Sequence, residues 1–184
     1  MTPDEFLRKI ERLIAERGQD QYGGEAVTQL EHALQAAELA RAEGRGAPLI
    51  AAALLHDIGH LLHGLGSDCA EEGIDDQHEA LGMRFLRKYF PEAVTEPVRL
   101  HVEAKRYLCS TDDGYAGRLS SPSILSLGLQ GGPMNAEEVA AFERLPHYRE
   151  AVQLRLYDDA AKVSGLQTPG INTFLPYLEQ CLVR

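Results

Sequence analysis

The stretch LIAAALLHDIGH, residues 49–60, sets the tightest limit on the fold. It is apolar on every side up to Leu55, and then places an imidazole, His56, beside a carboxylate, Asp57. A helix apolar all round belongs inside a bundle, with neighbours on each face. Its polar end is carried into the interior with it, where both groups must be hydrogen-bonded, paired or bound to a metal. Pro48 suits an early position of this helix.

The rest of the chain supplies helices to surround it. Phe6, Ile10, Leu13 and Ile14 recur at helical spacing before a stop at Gly18. Ala26, Leu30, Ala33, Leu34, Ala37 and Ala40 mark one face of a second helix, ending near Gly44-Arg45-Gly46. HGLGSDCAEEGIDD reads as a loop rich in glycine and acid, and a fourth helix is expected from Gln77 to Tyr89, punctuated by Pro91. EPVRLHVEAKRYL is a fifth helix, and SSPSILSLGLQGGPM a short helix followed by a sharp turn. Asn135 is placed to cap the next helix. Another covers Tyr148 to Ala161, and TFLPYLEQCLVR closes the chain as a helix interrupted or begun near Pro176. No strand-like alternation, repeat or low-complexity linker is visible. A chain of 184 residues suits one core, so the expectation is a single all-α domain over residues 1–184.

Composition narrows the partners. The formal charge of −10 argues against a nucleic-acid or anionic-membrane surface, although a few cations can dominate inside a pocket that takes a small anion. No apolar run is long enough to span a bilayer, and the amphipathic start MTPDEFLRKIERLIAERG lacks a signal-peptide core. Cys69, Cys109 and Cys181 are odd in number and widely spaced, which fits free thiols in a reduced cytoplasm. No obligate protein partner is implied.

His32, His56, Asp57, His78, His101 and Asp158 fall on apolar faces of five helices, with His56 and Asp57 adjacent on the third. A single buried histidine is ordinarily a structural donor, and Asp158 beside Asp159 would by itself read as a solvated acid. Together they can aim ligands into the centre of a bundle from five helices. Neutral imidazoles with carboxylates suit Fe, Mn, Co or Zn, and the lack of thiolates disfavours a structural zinc site. His32, His56, Asp57 and Asp158 suffice for one ion. His78 and His101 supply a second if Asp57 bridges, since neighbouring helical residues diverge by about 100°. His63 and His147 read as peripheral.

HDIGH, with an upstream His, two intervening His and a late Asp, resembles the HD-domain superfamily of metal-dependent phosphohydrolases. That resemblance implies an all-α HD-domain bundle with a central dinuclear site, the six ligands above, and Asp57 as bridge. QYGGEAVTQLEH, HVEAKRYL and LQGGPM further resemble the di-iron HD oxygenases that cleave carbon–phosphorus bonds in organophosphonates. Members of that group convert 1-hydroxy-2-aminoethylphosphonate, or its N-trimethylated analogue, to glycine or glycine betaine plus phosphate. The implied cofactor is a mixed-valent Fe(II)/Fe(III) pair, with O2 as co-substrate and a small phosphonate as partner. The alternatives are a phosphohydrolase of a nucleotide or other phosphate ester, and a non-catalytic ligand-binding module.

The resemblance also implies roles outside HDIGH. Tyr22 would cover an iron position until substrate arrives, with Glu25 holding its hydroxyl. Lys105, on the same helix face as His101, would bind phosphonate oxygen. His60, Ser123 and Gln130 are further candidates for phosphonate hydrogen bonds. A trimethylammonium end calls for aromatic walls or negative charge; Tyr22, Tyr107 and Tyr115 could form the first, and Asp68, Glu71, Glu72, Asp75 and Asp76 the second. The long HLLHGLGSDCAEEGIDDQHEALG form resembles the members that take the trimethylated substrate, which implies that substrate here.

Overall fold

The computed structural model describes residues 1–63, 65 and 70–183. Among them, nine α-helices are joined by turns and short 3-10 segments, and an isolated antiparallel bridge between Gln21 and Thr28 is the only strand-like pairing. Helix α3 (Ala47–Leu55) is buried from Leu49 onward, as an all-apolar helix must be. Helices α2 (Gln29–Ala42), α5 (Glu92–Thr111), α8 (Tyr148–Ala160) and α9 (Leu175–Cys181) pack around it. Small side chains set the spacing: Ala36, Ala37 and Ala40 of α2 and Ala51, Ala52 and Ala53 of α3 are wholly buried. Helix α1 (Pro3–Arg17) starts with a Thr2–Glu5 capping box and buries Phe6, Leu7, Ile10 and Ile14. Its Phe6 ring stacks on Tyr89 at 4.1 Å. No helix among the described residues is long and apolar enough to cross a membrane.

Helix α4 (His78–Leu86) crosses the 3-10 turn Ile58–Leu61 and leads through Pro91 into α5. Helix α6 (Ser121–Leu129) ends in a turn through Gly131 and Gly132, both at positive φ. Helix α7 (Ala136–Phe142) is capped by Asn135 in a capping box with Glu138. Several boundaries differ from the sequence reading, and α5 starts at Glu92 rather than Glu96. Helix α2 starts at Gln29 rather than near Ala26, because Thr28 and Glu31 form its capping box and Val27 accepts the Tyr22 N–H. Helix α4 opens one residue later than expected, since Gln77 is left-handed, and closes at Leu86 where Tyr89 turns back onto Leu86.

Candidate metal centre

Five helices deliver six polar side chains to one buried point. His32 comes from α2, His78 from the first position of α4, His101 from α5 and Asp158 from α8, while His56 and Asp57 follow the last residue of α3. All six are buried. His56 keeps helical angles but Asp57 does not (φ −101°, ψ 14°), so the two side chains diverge where the helix stops. The next turn needs Gly59: a Cβ there would lie 2.0 Å from the His78 carbonyl oxygen. That close approach lets α4 bring His78 against Asp57.

The carboxylate of Asp57 stands between two pairs of imidazoles. Its Oδ2 lies 3.2 Å from His56 Nε2 and 3.4 Å from His32 Nε2. Its Oδ1 lies 3.3 Å from His78 Nε2 and 3.4 Å from His101 Nε2. Every Nδ1 is already engaged: His32 with the Ala161 carbonyl, His56 with Ala53, His101 with Val98, and His78 with the Asp76 carboxylate, at 2.7 to 2.8 Å. Those acceptors require Nδ1–H, so a neutral ring presents an Nε2 lone pair inward. Yet the His32 and His56 Nε2 atoms are 3.0 Å apart, and those of His78 and His101 3.2 Å. Facing lone pairs at such distances repel unless a cation lies beside them.

The oxygens tell the same story. Both Asp57 oxygens and Asp158 Oδ1 are buried without a hydrogen-bond partner, an expensive state for an anion. Burial would raise the Asp57 carboxyl, but the surrounding imidazoles, His56 foremost, hold it well below the ordinary carboxylate range. Asp158 is likewise held down against burial, chiefly by Arg155, whose Nη1 is 2.8 Å from Oδ2. Arg155 thus occupies one oxygen and leaves Oδ1 facing His32 at 3.5 Å. Burial opposes a charge on His78, but Asp76 and Asp57 push the imidazole up to about 9, so a metal ion would compete with a proton there. Four lone-pair nitrogens, a split carboxylate and a second carboxylate fit a dinuclear metal site of mixed N/O ligation.

A cavity of about 360 Å³ opens onto this centre and is lined by Tyr22, Glu25, His60, Lys105, Ser123 and Gln130, among others. The Tyr22 ring stacks on His32 at 3.9 Å. Burial, with the Asp158 and Asp57 charges, raises its phenol well above the ordinary value. Glu25 does not hold the Tyr22 hydroxyl as expected: its carboxylate accepts from Ser120 and lies 3.5 Å from Lys162. The reason is local, since the Tyr22–Glu25 turn is closed by its backbone and projects the carboxylate toward the start of α6. Burial, then the Arg155 charge, pushes Lys105 down to about 7. Its ammonium donates to Ser126 Oγ at 2.8 Å.

His60 donates from Nδ1 to Asp76 at 2.7 Å and stacks on His78 at 4.0 Å, with Nε2 3.9 Å from Asp57. His63 shares the same Asp76 oxygen at 2.9 Å, closer to the site than its peripheral reading implied, whereas His147 sits at the start of α8. Gln130 caps the end of α6 with Oε1 buried and unpartnered. Tyr107 and Tyr115 do not wall the cavity: one hydroxyl bonds Glu143 and the other Asp159. Of the acidic stretch, Asp75 and Asp76 line the cavity, Glu71 and Glu72 are exposed, and Asp68, like Cys69, lies outside the described residues. Sequence reasoning missed Arg155 and Lys162, and it named Asp76 only as an acid for a substrate cation, not as the partner of His60, His63 and His78. The first two stand three residues before and four after Asp158, one turn to either side on its face.

The HD domain family model matches residues 30–141 of this chain. The 1-hydroxy-2-(trimethylamino)ethylphosphonate dioxygenase (glycine-betaine-forming) of Leisingera caerulea is 44% identical over 164 residues, 89% of this chain and 84% of that protein. The hydroxymethylphosphonate dioxygenase of Gimesia maris is 47% identical over 184 residues, 98% of this chain and 90% of that protein.

Proposed function

This chain belongs to the HD-domain family, and from that premise we propose that it is an O2-dependent di-iron oxygenase. It cleaves the carbon–phosphorus bond of a 1-hydroxy-2-(trimethylammonio)ethylphosphonate-type substrate, giving glycine betaine and phosphate. One O2 per substrate balances this reaction without an external reductant. The observation that carries the reading is Asp57, a buried carboxylate whose two oxygens each face a pair of inward Nε2 atoms at the foot of a cavity lined with cations. His32, His56 and Asp158 would hold one iron, His78 and His101 the other, with Asp57 between. A bound mixed-valent iron pair supplies the capacity to activate oxygen and oxidise the carbon bearing phosphorus.

The side chains around it bind and orient. Lys105 and Ser123 present donors for phosphonate oxygens, with His60 and Gln130 beside them. Tyr22 covers the His32 side of the centre and excludes water until the substrate enters. Asp20 and Asp75 line the cavity and offer charge to a substrate cation. We place all of this in one HD domain over residues 1–184, working in the cytoplasm without a nucleic-acid or obligate protein partner.

A second reading is favoured by the position of the tyrosines. With Tyr107 and Tyr115 outside the cavity, Tyr22 is the tyrosine left to wall it. A smaller substrate such as hydroxymethylphosphonate, named for the Gimesia maris relative, needs no cation pocket. The test is product analysis on iron-loaded protein given each phosphonate with and without O2. Glycine betaine and phosphate in equal amounts, formed only with O2, are expected, and formate from hydroxymethylphosphonate would shift the assignment to the smaller substrate. Phosphate release undiminished under argon would sink the oxygenase reading.

A further inference from the structure

Lys162, just past α8, is a cavity cation that the ligand scheme leaves unused. Its side chain is 11% exposed. The ammonium donates to Ser123 Oγ at 3.0 Å and lies 3.5 Å from the Glu25 carboxylate and 3.6 Å from Asp158 Oδ1. One hydrogen bond and two longer ion pairs leave an ammonium's three donors under-used.

Ser123 is arranged to pass this on. Its Oγ accepts from Lys162 and, at 3.5 Å, from Arg155, so its own O–H is free to donate to an anion. Lys105 reaches the same region from α5, 3.5 Å from the Ser123 carbonyl. Of the three cations, Arg155 is fixed by Asp158 and Asp159. Lys162 is paired with a carboxylate that can leave. Glu25 belongs to the turn carrying Tyr22: its N–H bonds the Tyr22 carbonyl at 3.0 Å, and Gly23 between them has φ +51°. Its carboxylate bridges Ser120, the N-cap of α6, to Lys162. An anionic group already lies at the cation, attached to the segment that stacks on His32.

We propose that Lys162 is a phosphonate-binding residue and that Glu25 is its internal counter-anion in the substrate-free chain. Resting on the phosphonate reading above, the exchange is ionic: phosphonate oxygens take Lys162 and the Ser123 hydroxyl, Glu25 is released, and the turn holding Tyr22 over His32 loses its anchor. No covalent bond changes. Glu25 therefore sets an affinity threshold that an anion must exceed before the centre opens.

The experiment is anaerobic calorimetry on the iron-loaded full chain with methylphosphonate, which carries no hydroxyl to oxidise. Lys162→Met should weaken binding by about tenfold to a hundredfold, as loss of a charge-assisted contact does, while Lys162→Arg stays within about threefold. Glu25→Gln should tighten binding severalfold in the wild-type background and change nothing in Lys162→Met. Iron content matched to wild type in each variant confirms that Asp158 has kept its place. Wild-type affinity in Lys162→Met, or a Glu25→Gln gain that persists there, overturns the exchange and leaves the phosphonate reading standing. No binding by the wild type overturns the phosphonate reading and this proposal with it.

Discussion

Four imidazoles with every Nδ1 committed to an oxygen form a device whose chemistry is set one atom at a time. The carbonyls of Ala161, Ala53 and Val98 and the carboxylate of Asp76 fix each ring and turn Nε2 inward. Lys105 shows the same control in a cation. Arg155 and Lys162 repel its charge, Asp158 and Asp159 attract it, and burial outweighs them, so it titrates at about 7 rather than 10.5. The folded chain therefore binds fewer protons than the unfolded chain between those values, and this group's contribution makes stability rise with pH across that window. Anion binding runs the other way, because only the protonated ammonium attracts a phosphonate. Methylphosphonate affinity should fall by roughly tenfold per pH unit above about 7 relative to Lys105→Arg, whose charge persists. Parallel affinity profiles for the two proteins between neutral and alkaline pH would exclude Lys105 from the anion site.

At the scale of elements, the centre depends on where helices stop and how closely they cross. Helix α3 ends at Leu55, so the two adjacent side chains of His56 and Asp57 diverge, and Gly59 lets the start of α4 pass within contact of the following turn. Gly59→Ala would force a methyl group against the His78 backbone carbonyl. We expect a loss of about 3 kcal/mol or more in denaturant unfolding, at the upper end for overpacking, and iron content falling from two toward one as His78 is displaced. Two irons with unchanged stability would show that the approach is not required. Most of this plan was legible in the residues. The all-apolar run before His56 specified a central helix, and the six candidate ligands, which the fold brings together, stood out as polar groups on apolar faces. The late start of α2 was legible too, in the Thr28-x-x-Glu31 pattern, but apolar Ala26 and Val27 extended the helical period past it. Arg155 and Lys162 were hidden for a different reason: basic residues on or near a helix ordinarily face water, and only the packing of α8 on α5 turns these two side chains toward the cavity. The role of Asp76 was hidden by its acidic neighbours, which gave it the look of a solvated loop.

For the whole molecule, the net charge of −10 opposes an anionic ligand, so the proposed phosphonate would depend on Lys105 and Lys162, cavity cations screened by burial from the outer field. The same burial makes the metal a structural element. Five helices meet at a cluster of unpartnered carboxylate oxygens and facing imidazole nitrogens, a junction that is costly without a cation between its parts. An ion that binds the folded chain a thousandfold above its dissociation constant stabilises it by about 4 kcal/mol. In a chain of this size that corresponds to roughly 10 °C in midpoint. Chelating the metal should therefore lower the thermal midpoint by about that much, with helical circular dichroism retained below the transition because the apolar core around α3 is untouched. In Asp57→Asn, which keeps the shape but loses the bridging charge, the starting midpoint should already be low and chelation should lower it less. Scanning calorimetry of both proteins before and after chelation checks this, and equal midpoints for metal-loaded and chelated wild type would show that the bundle closes without help from its centre.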